Sequence, residues 1–254
     1  MKLLAIEGSG GVASVALLNL EDDTITAEYT LNHALTHSQT LLPMIDEITA
    51  RTECAKSEIK AIAVSSGPGS FTGLRIGSAT AKGLALALDI PILHVPTIEA
   101  LAYNLYGFDG YVCPIMDARR DQTYTGMFHF TEGSLACDIE DGAMDINELL
   151  DKIEGTLGDK KVIFTGDGIP VFREAINARL GDKAMYAPAG FNRQRASSVA
   201  IYGAKLLASG ITESSDEHLP DYFRTSQAER EKAEREKAER DKMREPGDGL
   251  VCTY

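Results

Sequence analysis

The sequence predicts a two-lobed α/β protein in which each lobe is a mixed sheet flanked by helices. Three observations lead there. The chain has 254 residues, enough for two small lobes with a buried core. The order strand-strand-strand-helix-strand-helix-strand-helix occurs twice, and that order packs naturally as a sheet covered by helices. Between the copies lies the glycine-bounded stretch Gly107–Gly110. It divides a first lobe, residues 1–107, from a second, residues 108–227, with a charged helical or disordered extension over 228–254.

Lys2–Glu7, Val12–Leu20 and Thr24–Thr30 are strands rich in Val, Ile and Leu, broken by Gly8–Gly11 and by Glu21, Asp22 and Asp23. A helix is expected over Thr40–Arg51, with Leu41, Leu42, Ile45 and Ile48 on one face. Its start is placed near Thr40 because proline is tolerated in a first turn and Pro43 must fall there. Lys60–Ser65 is an apolar strand, followed by a glycine-rich loop and a helix at Gly73–Leu88. Pro91–Val95 is a further strand, and Thr97–Tyr106 a third helix with Thr97 as its N-cap.

In the second copy, Tyr111–Asp117, Thr123–Phe130 and Leu135–Ile139 are strands and Asp145–Ile153 is a helix. Lys161–Thr165 is a strand ending in Gly166, Asp167 and Gly168. A helix at Ile169–Leu180, a short strand at Lys183–Tyr186 and a helix at Ser197–Ser209 complete the copy. Beyond it, Ala228, Ala233 and Ala238 each open a five-residue repeat of Glu, Arg, Asp and Lys. Five residues turn a helix by about 500°, so the alanines spiral and form no apolar face. Its opposite charges at four-residue spacing suit a solvated extension or a docking helix.

Charge excludes some functions. Residues 229–245 hold seven acids and seven bases and cancel; with Asp248 also set aside, residues 1–227 hold 30 acids and 18 bases, a net −12 of the total −13. An acidic body repels a phosphate backbone, which argues against tight binding of nucleic acid by this chain alone. Charged residues interrupt every long apolar run, which excludes a membrane span. Lys2 precedes only four apolar residues before Glu7, too few for a secretory leader. Cys54, Cys113, Cys137 and Cys252 are scattered without a paired spacing, as expected of reduced thiols in the cytoplasm.

The most informative stretch runs from Ser65 to Gly77, through Gly67, Gly69, Ser70 and Gly73. It leaves a strand, turns on glycines and opens a helix, which aims backbone N–H groups at a point where an anion could sit. Its spacing matches neither a P-loop nor the dinucleotide fingerprint, and a plain tight turn fits equally. In the following helix Gly73, Gly77, Ala81 and Ala85 recur every four residues, and Leu84 and Leu88 extend a separate apolar face. Such a small-residue stripe admits close packing, on the chain's own sheet or on a second molecule. Glu7, Asp117 and Asp167 each end a strand, where a carboxylate meets nucleotide or metal in open sheets; Asp167 serves equally as an N-cap. His33 and His37 lack a third ligand and read as surface residues, so no metal site is expected. Ser9 has no His–Asp partnership, and no nucleophile–base pair is visible.

These residues resemble the TsaB (YeaZ) family of the actin/hexokinase-like (ASKHA, RNase H-like) superfamily. The markers are Leu3–Ile6, His37–Pro43, Ser66–Gly77, Leu219–Arg224 and Ser226–Glu229. The resemblance implies a role in making threonylcarbamoyladenosine beside the tRNA anticodon, as the non-catalytic partner of the metal-bearing paralog TsaD. TsaD transfers the threonylcarbamoyl group and the ATPase TsaE assists it. The chain alone would be a homodimer, tRNA would be met only indirectly, and no membrane would be involved. No cofactor would be held tightly, with ATP or ADP accommodated at the partner interface.

The docking contact would come from the helices at Thr40–Arg51 and Gly73–Leu88, through Leu41, Leu42, Ile45, Ile48, Gly73, Arg75, Gly77, Ala81, Leu84 and Ala85. A weaker anion contact would use Glu7, Ser9, Gly67, Gly69 and Ser70. The paralog's His-x-x-x-His pair would fall at His94–Ile98, and Ile98 cannot bind metal. Family members commonly carry Asp-Thr-Ser/Thr after the first strand, where this chain has Glu7, Gly8 and Ser9. The alternative is a nucleotide-using phosphotransferase or hydrolase, with Glu7, Asp117, the glycine-rich loop and Asp167–Gly168 facing one cleft.

Overall fold

The structure is a computed structural model and describes residues 1–33 and 36–223. The charged repeat at 228–245 and Cys252 lie outside the described residues. The first sheet contains β1 (Lys2–Glu7), β2 (Ala13–Asn19), β3 (Thr24–Leu31), β4 (Ile59–Gly67) and β5 (Ile92–Pro96), in the order β3-β2-β1-β4-β5. β1 to β3 form an antiparallel meander with Leu4 opposite Leu17 and Ala16 opposite Glu28, and β4 and β5 continue in parallel. The second sheet repeats this plan with β6 (Tyr111–Asp117), β7 (Gln122–Thr131), β8 (Ser134–Asp145), β9 (Val162–Thr165) and β10 (Ala184–Tyr186), ordered β10-β9-β6-β7-β8. Each sheet is mixed and five-stranded, the duplicated plan that the family resemblance implies.

Strand alternation gives each sheet two buried faces. On the first sheet, Leu4 and Ile6 point to α1 (His37–Arg51) and α2 (Phe71–Leu88), where Leu41, Ile45, Ile48, Ala81 and Ala85 meet them. Leu3 and Ala5 point the other way, with Ala16, Ala61 and Ala63. That alanine-lined face receives Ala196, Val199 and Ala200 of α6 (Ala196–Ala208). On the second sheet, α4 (Ile146–Leu157) and α5 (Ile169–Leu180) pack Leu149, Ile153, Phe172 and Ile176 against Ile115 and Phe164. Its opposite face receives Ile98, Leu101 and Ala102 of α3 (Thr97–Ala102), packed on Val112, Phe128 and Ile163.

The two copies therefore exchange helices. α3 follows the first sheet in sequence and places Ile98, Leu101 and Ala102 on the second sheet, with Ala100 turned to the first; α6 follows the second sheet and covers the first. Met1–Asp221 forms one compact unit. Polar contacts reinforce the exchange. Glu28 of β3 accepts from Ser197 N (2.9 Å) and Ser197 Oγ (2.7 Å) and pairs with Arg195, which places a carboxylate on the N-terminus of α6.

Several element boundaries differ from the expectation. α1 begins at His37 rather than Thr40, so Pro43 sits in its second turn and deprives the Gln39 carbonyl of its helical donor. Thr97 is the first residue of α3 rather than its cap; its hydroxyl accepts from Gly67 N at 3.2 Å. α3 ends at Ala102, where a 3-10 turn over Tyr103–Leu105 takes over. β8 runs to Asp145 because it pairs along the whole of β7, with register shifts near Met127 absorbing its polar stretch. Asp145 then caps α4 by accepting from Asn147 N at 2.8 Å. The cap of α5 is Gly168, not Asp167.

A Cβ added to Gly203 of α6 would lie 2.6 Å from the Cβ of Ala63. Gly203→Ala should therefore destabilise the fold by about 1–3 kcal/mol, as overpacking does. Urea midpoints that fall at unchanged slope would bear this out; an unchanged midpoint would place α6 farther from the sheet.

Candidate functional site

The ten residues expected at a docking contact divide between interior and surface. Leu41, Ile45, Ile48, Gly73, Gly77, Ala81 and Ala85 are buried in this chain's own core. Leu84 is half-buried against the same core. The small-residue stripe thus packs on its own sheet and turn: a Cβ on Gly73 would lie 2.2 Å from the Gly8 carbonyl oxygen, and one on Gly77 would lie 3.7 Å from the Val64 side chain. Leu42 is 54% exposed. Arg75 also faces outward, with its guanidinium carbon 3.9 Å from the Phe71 ring centroid. The outward side of α2 carries Arg75, Ala79, Gly83 and Leu86, and α1 presents Leu42 and Pro43, all exposed.

The residues expected at an anion site do come together. Ser70 N donates to Ser9 O at 2.6 Å, and a Cβ on Gly69 would lie 2.3 Å from the same oxygen. Three of the loop's donors are satisfied within the chain, however. Gly67 N goes to Thr97 Oγ1, Ser70 N to Ser9 O, and Gly73 N to Ser70 Oγ at 3.3 Å, which makes Ser70 the N-cap of α2. Glu7 is buried, and its Oε1 accepts from both Ser9 N and Ser9 Oγ at 2.6 Å. Burial lifts its carboxyl above the ordinary carboxylate value, against the opposing hydrogen bonds from Ser9 and Ser65.

Across the second sheet, Asp117 N donates to Asp167 Oδ1 at 3.2 Å, and Arg119 N to Asp117 Oδ1 at 2.7 Å. Burial also raises Asp167, with the Asp117 N–H and Arg193 opposing. His33 is exposed, whereas His37 is half-buried, with its Nε2 2.9 Å from Gly10 O. Cys54, Cys113 and Cys137 are free thiols, and burial pushes Cys113 up to about 12.

One constellation was invisible in the sequence. Ser78 Oγ lies 3.1 Å from His218 Nε2, and His218 Nδ1 lies 2.9 Å from Glu213 Oε2. This is the connectivity of a serine nucleophile, base and orienting carboxylate. Ser78 is 4% exposed and His218 0%. A reacting carbonyl must reach about 3 Å from the nucleophile, and that enclosure denies it entry. The cluster instead ties the segment after α6 to the first sheet. Glu213 and Ile92 exchange backbone hydrogen bonds at 2.9 Å, Lys82 Nζ donates to His218 O at 3.0 Å, and Asp221 N donates to Ser66 O at 2.7 Å. Burial holds the His218 imidazole below its ordinary pKa, with Glu213 pulling the other way.

Glu7 generates a prediction. The folded state holds its proton more tightly than the unfolded chain, so its ionisation costs stability as pH rises from the ordinary value of 4.5. Glu7→Gln keeps an acceptor for Ser9 and removes that titration. Its stability relative to the parent should improve between acidic and neutral pH in urea unfolding; a pH-independent difference would mean that the carboxyl is not desolvated.

The family model described as TsaD, tRNA N6-adenosine threonylcarbamoyltransferase, matches residues 24–232. A Bacillus subtilis protein called tRNA threonylcarbamoyladenosine biosynthesis protein TsaB is 35% identical over 231 residues, covering 90% of this chain and 96% of that one. The Escherichia coli protein of the same name is 29% identical over 90% of this chain and 96% of its own length. Among solved structures, YeaZ from Pseudomonas aeruginosa superposes with a TM-score of 0.72 at 25% identity, over 87% of this chain and 99% of that chain. A second Pseudomonas aeruginosa structure, described as an uncharacterized protein with similarity to peptidase YeaZ, gives 0.74 at 25% identity over 88% and 99%. No described helix is long and apolar enough to cross a membrane. The duplicated fold and these full-length matches together show that the chain belongs to the TsaB (YeaZ) family of tRNA threonylcarbamoyladenosine biosynthesis proteins.

Proposed function

We propose that this chain is the scaffold subunit for threonylcarbamoyl transfer to the adenosine beside the tRNA anticodon. It pairs with TsaD, and through it with TsaE, and contributes no catalytic residue of its own. The observation that carries this reading is the outward face of α2. A glycine inside a helix costs about 1 kcal/mol relative to alanine. At Gly73 the crowding by Gly8 explains the glycine, but a Cβ on Gly83 would meet nothing within 4 Å. Gly83 and Ala79 lie between Arg75 and Leu86, which is 71% exposed. Such a surface suits a partner helix at close range, with Leu86 and Leu42 as apolar anchors.

A non-catalytic role is favoured by the Gly67, Ser70 and Gly73 N–H groups already bonded within the chain, by Glu7 tied to Ser9, and by the enclosure of Ser78. The net −12 of residues 1–227 favours leaving tRNA contact to other subunits.

The test separates the two sides of α2. Ala79→Glu and Leu86→Glu should keep the circular dichroism of the parent and weaken pairing with the TsaD of the same organism by about tenfold or more. Gly77→Glu, which drives a charge against Val64, should instead fail to fold. Light scattering during gel filtration reads the outcome. Parental pairing by both outward variants would overturn the assignment, and ATP turnover by the isolated chain, lost in Glu7→Gln, would overturn the non-catalytic role.

A further inference from the structure

We propose that His94, Glu213 and His218 bind one divalent transition-metal ion of the zinc class. One ligand atom from each lies within 4.8 Å of the others. The backbone explains the convergence. Glu213 pairs antiparallel with Ile92 at the end of the first sheet, and alternation puts His94 on the same side of β5 as Ile92. The carboxylate of Glu213 therefore reaches both rings: Oε1 is 3.6 Å from His94 Nδ1 and Oε2 is 2.9 Å from His218 Nδ1. Around a tetrahedral ion with bonds of about 2.0–2.1 Å, neighbouring ligand atoms stand about 3.3 Å apart. The two separations bracket that value, and the ring centroids are 5.5 Å apart with planes at 64°.

The remote nitrogens are arranged for the same purpose. His94 Nε2 lies 2.8 Å from Asp221 Oδ2, and His218 Nε2 lies 3.1 Å from Ser78 Oγ. A metal-bound imidazole characteristically donates its other N–H to such an acceptor, which fixes the tautomer and aims the lone pair. With the proton on Nε2 in both rings, both Nδ1 atoms present lone pairs toward Glu213. His94 Nδ1 is buried and has no hydrogen-bond partner. A buried polar atom left unpaired costs stability, and coordination satisfies it. Two imidazoles and a carboxylate are a recurrent zinc donor set with a fourth position for solvent, whereas Mg²⁺ and Ca²⁺ prefer oxygen. The ion would clamp the segment after α6 onto β5 and α2, independently of the pairing proposed above.

The full chain, stripped with a chelator and titrated with Zn²⁺ against a chromophoric competitor, should bind one equivalent. Glu213→Gln, which keeps a hydrogen-bond acceptor for His218, and His94→Gln should each weaken binding about a hundredfold. Asp221→Asn should weaken it about tenfold, the scale of an outer partner. Co²⁺ in place of Zn²⁺ should give ligand-field absorption without thiolate charge-transfer bands, separating this site from the cysteines. Zn²⁺ should raise the unfolding temperature of the parent and not of Glu213→Gln. The proposal is overturned if the parent binds no stoichiometric Zn²⁺, or if folded His94→Gln and Glu213→Gln bind it as the parent does; the cluster is then a hydrogen-bonded tie only.

Discussion

The close approach of two backbones, the Gly8 carbonyl on the β1–β2 turn and Gly73 in the first turn of α2, organises the first lobe. A side chain at position 73 would overlap that carbonyl. Three and four residues before Gly73, Ser70 and Gly69 are pressed against Ser9, the neighbour of Gly8, in the same manner. The glycine-rich stretch is therefore a lock between strand turn and helix, with the N–H groups of Gly67, Ser70 and Gly73 bonded within the chain. Because this lock fixes the rotation of α2, Gly73, Gly77, Ala81 and Ala85 must face inward, and Ala79, Gly83 and Leu86 must face solvent. The surface assigned to a partner follows from a packing constraint on the other side of the same helix.

The duplicated architecture is held together by exchange. The alanines at positions 5, 16, 61 and 63 leave a shallow face on the first sheet, and α6 with its Gly203 is small enough to settle on it. α3 supplies the matching cover for the second sheet. Asn104, just beyond α3, donates to Arg193 O at 2.6 Å and accepts from Ser198 Oγ at 2.7 Å, so the two exchanged helices are also joined by side chains. Neither sheet can shed its borrowed helix without exposing apolar residues at 0% exposure such as Leu3 and Val112. Met1–Asp221 is expected to unfold cooperatively.

Much of this was legible in the sequence. β1, β6 and α5 match their predicted limits, and the first meander follows from apolar runs rich in Val, Ile and Leu punctuated by glycine or acidic turns. The TsaB resemblance, carried by specific residue strings, also holds. What failed was tertiary in origin. α2 is small-residued on both sides, so composition could not say which stripe faces the sheet; only the Gly8 contact decides it. β8 is a half-exposed edge strand whose Glu140 and Asp141 sit at a register shift between the pairs Met127–Ile139 and Thr125–Gly142, so the sequence there looks like a loop. The exchange of α3 and α6 leaves no local mark. His94, Glu213 and His218 lie too far apart in sequence for any spacing rule, and they meet only because Glu213 pairs with Ile92 at the sheet's end.

The central claim is that the inward stripe builds the fold and the outward stripe of the same helix recruits the partner. Amide hydrogen exchange on the chain, alone and with the TsaD of its own organism, tests this most directly. The account predicts added protection over residues 39–46 and 75–86, with α5 and the β8 edge unchanged. Protection confined to the second lobe, with α2 exchanging as it does in the free chain, would contradict it.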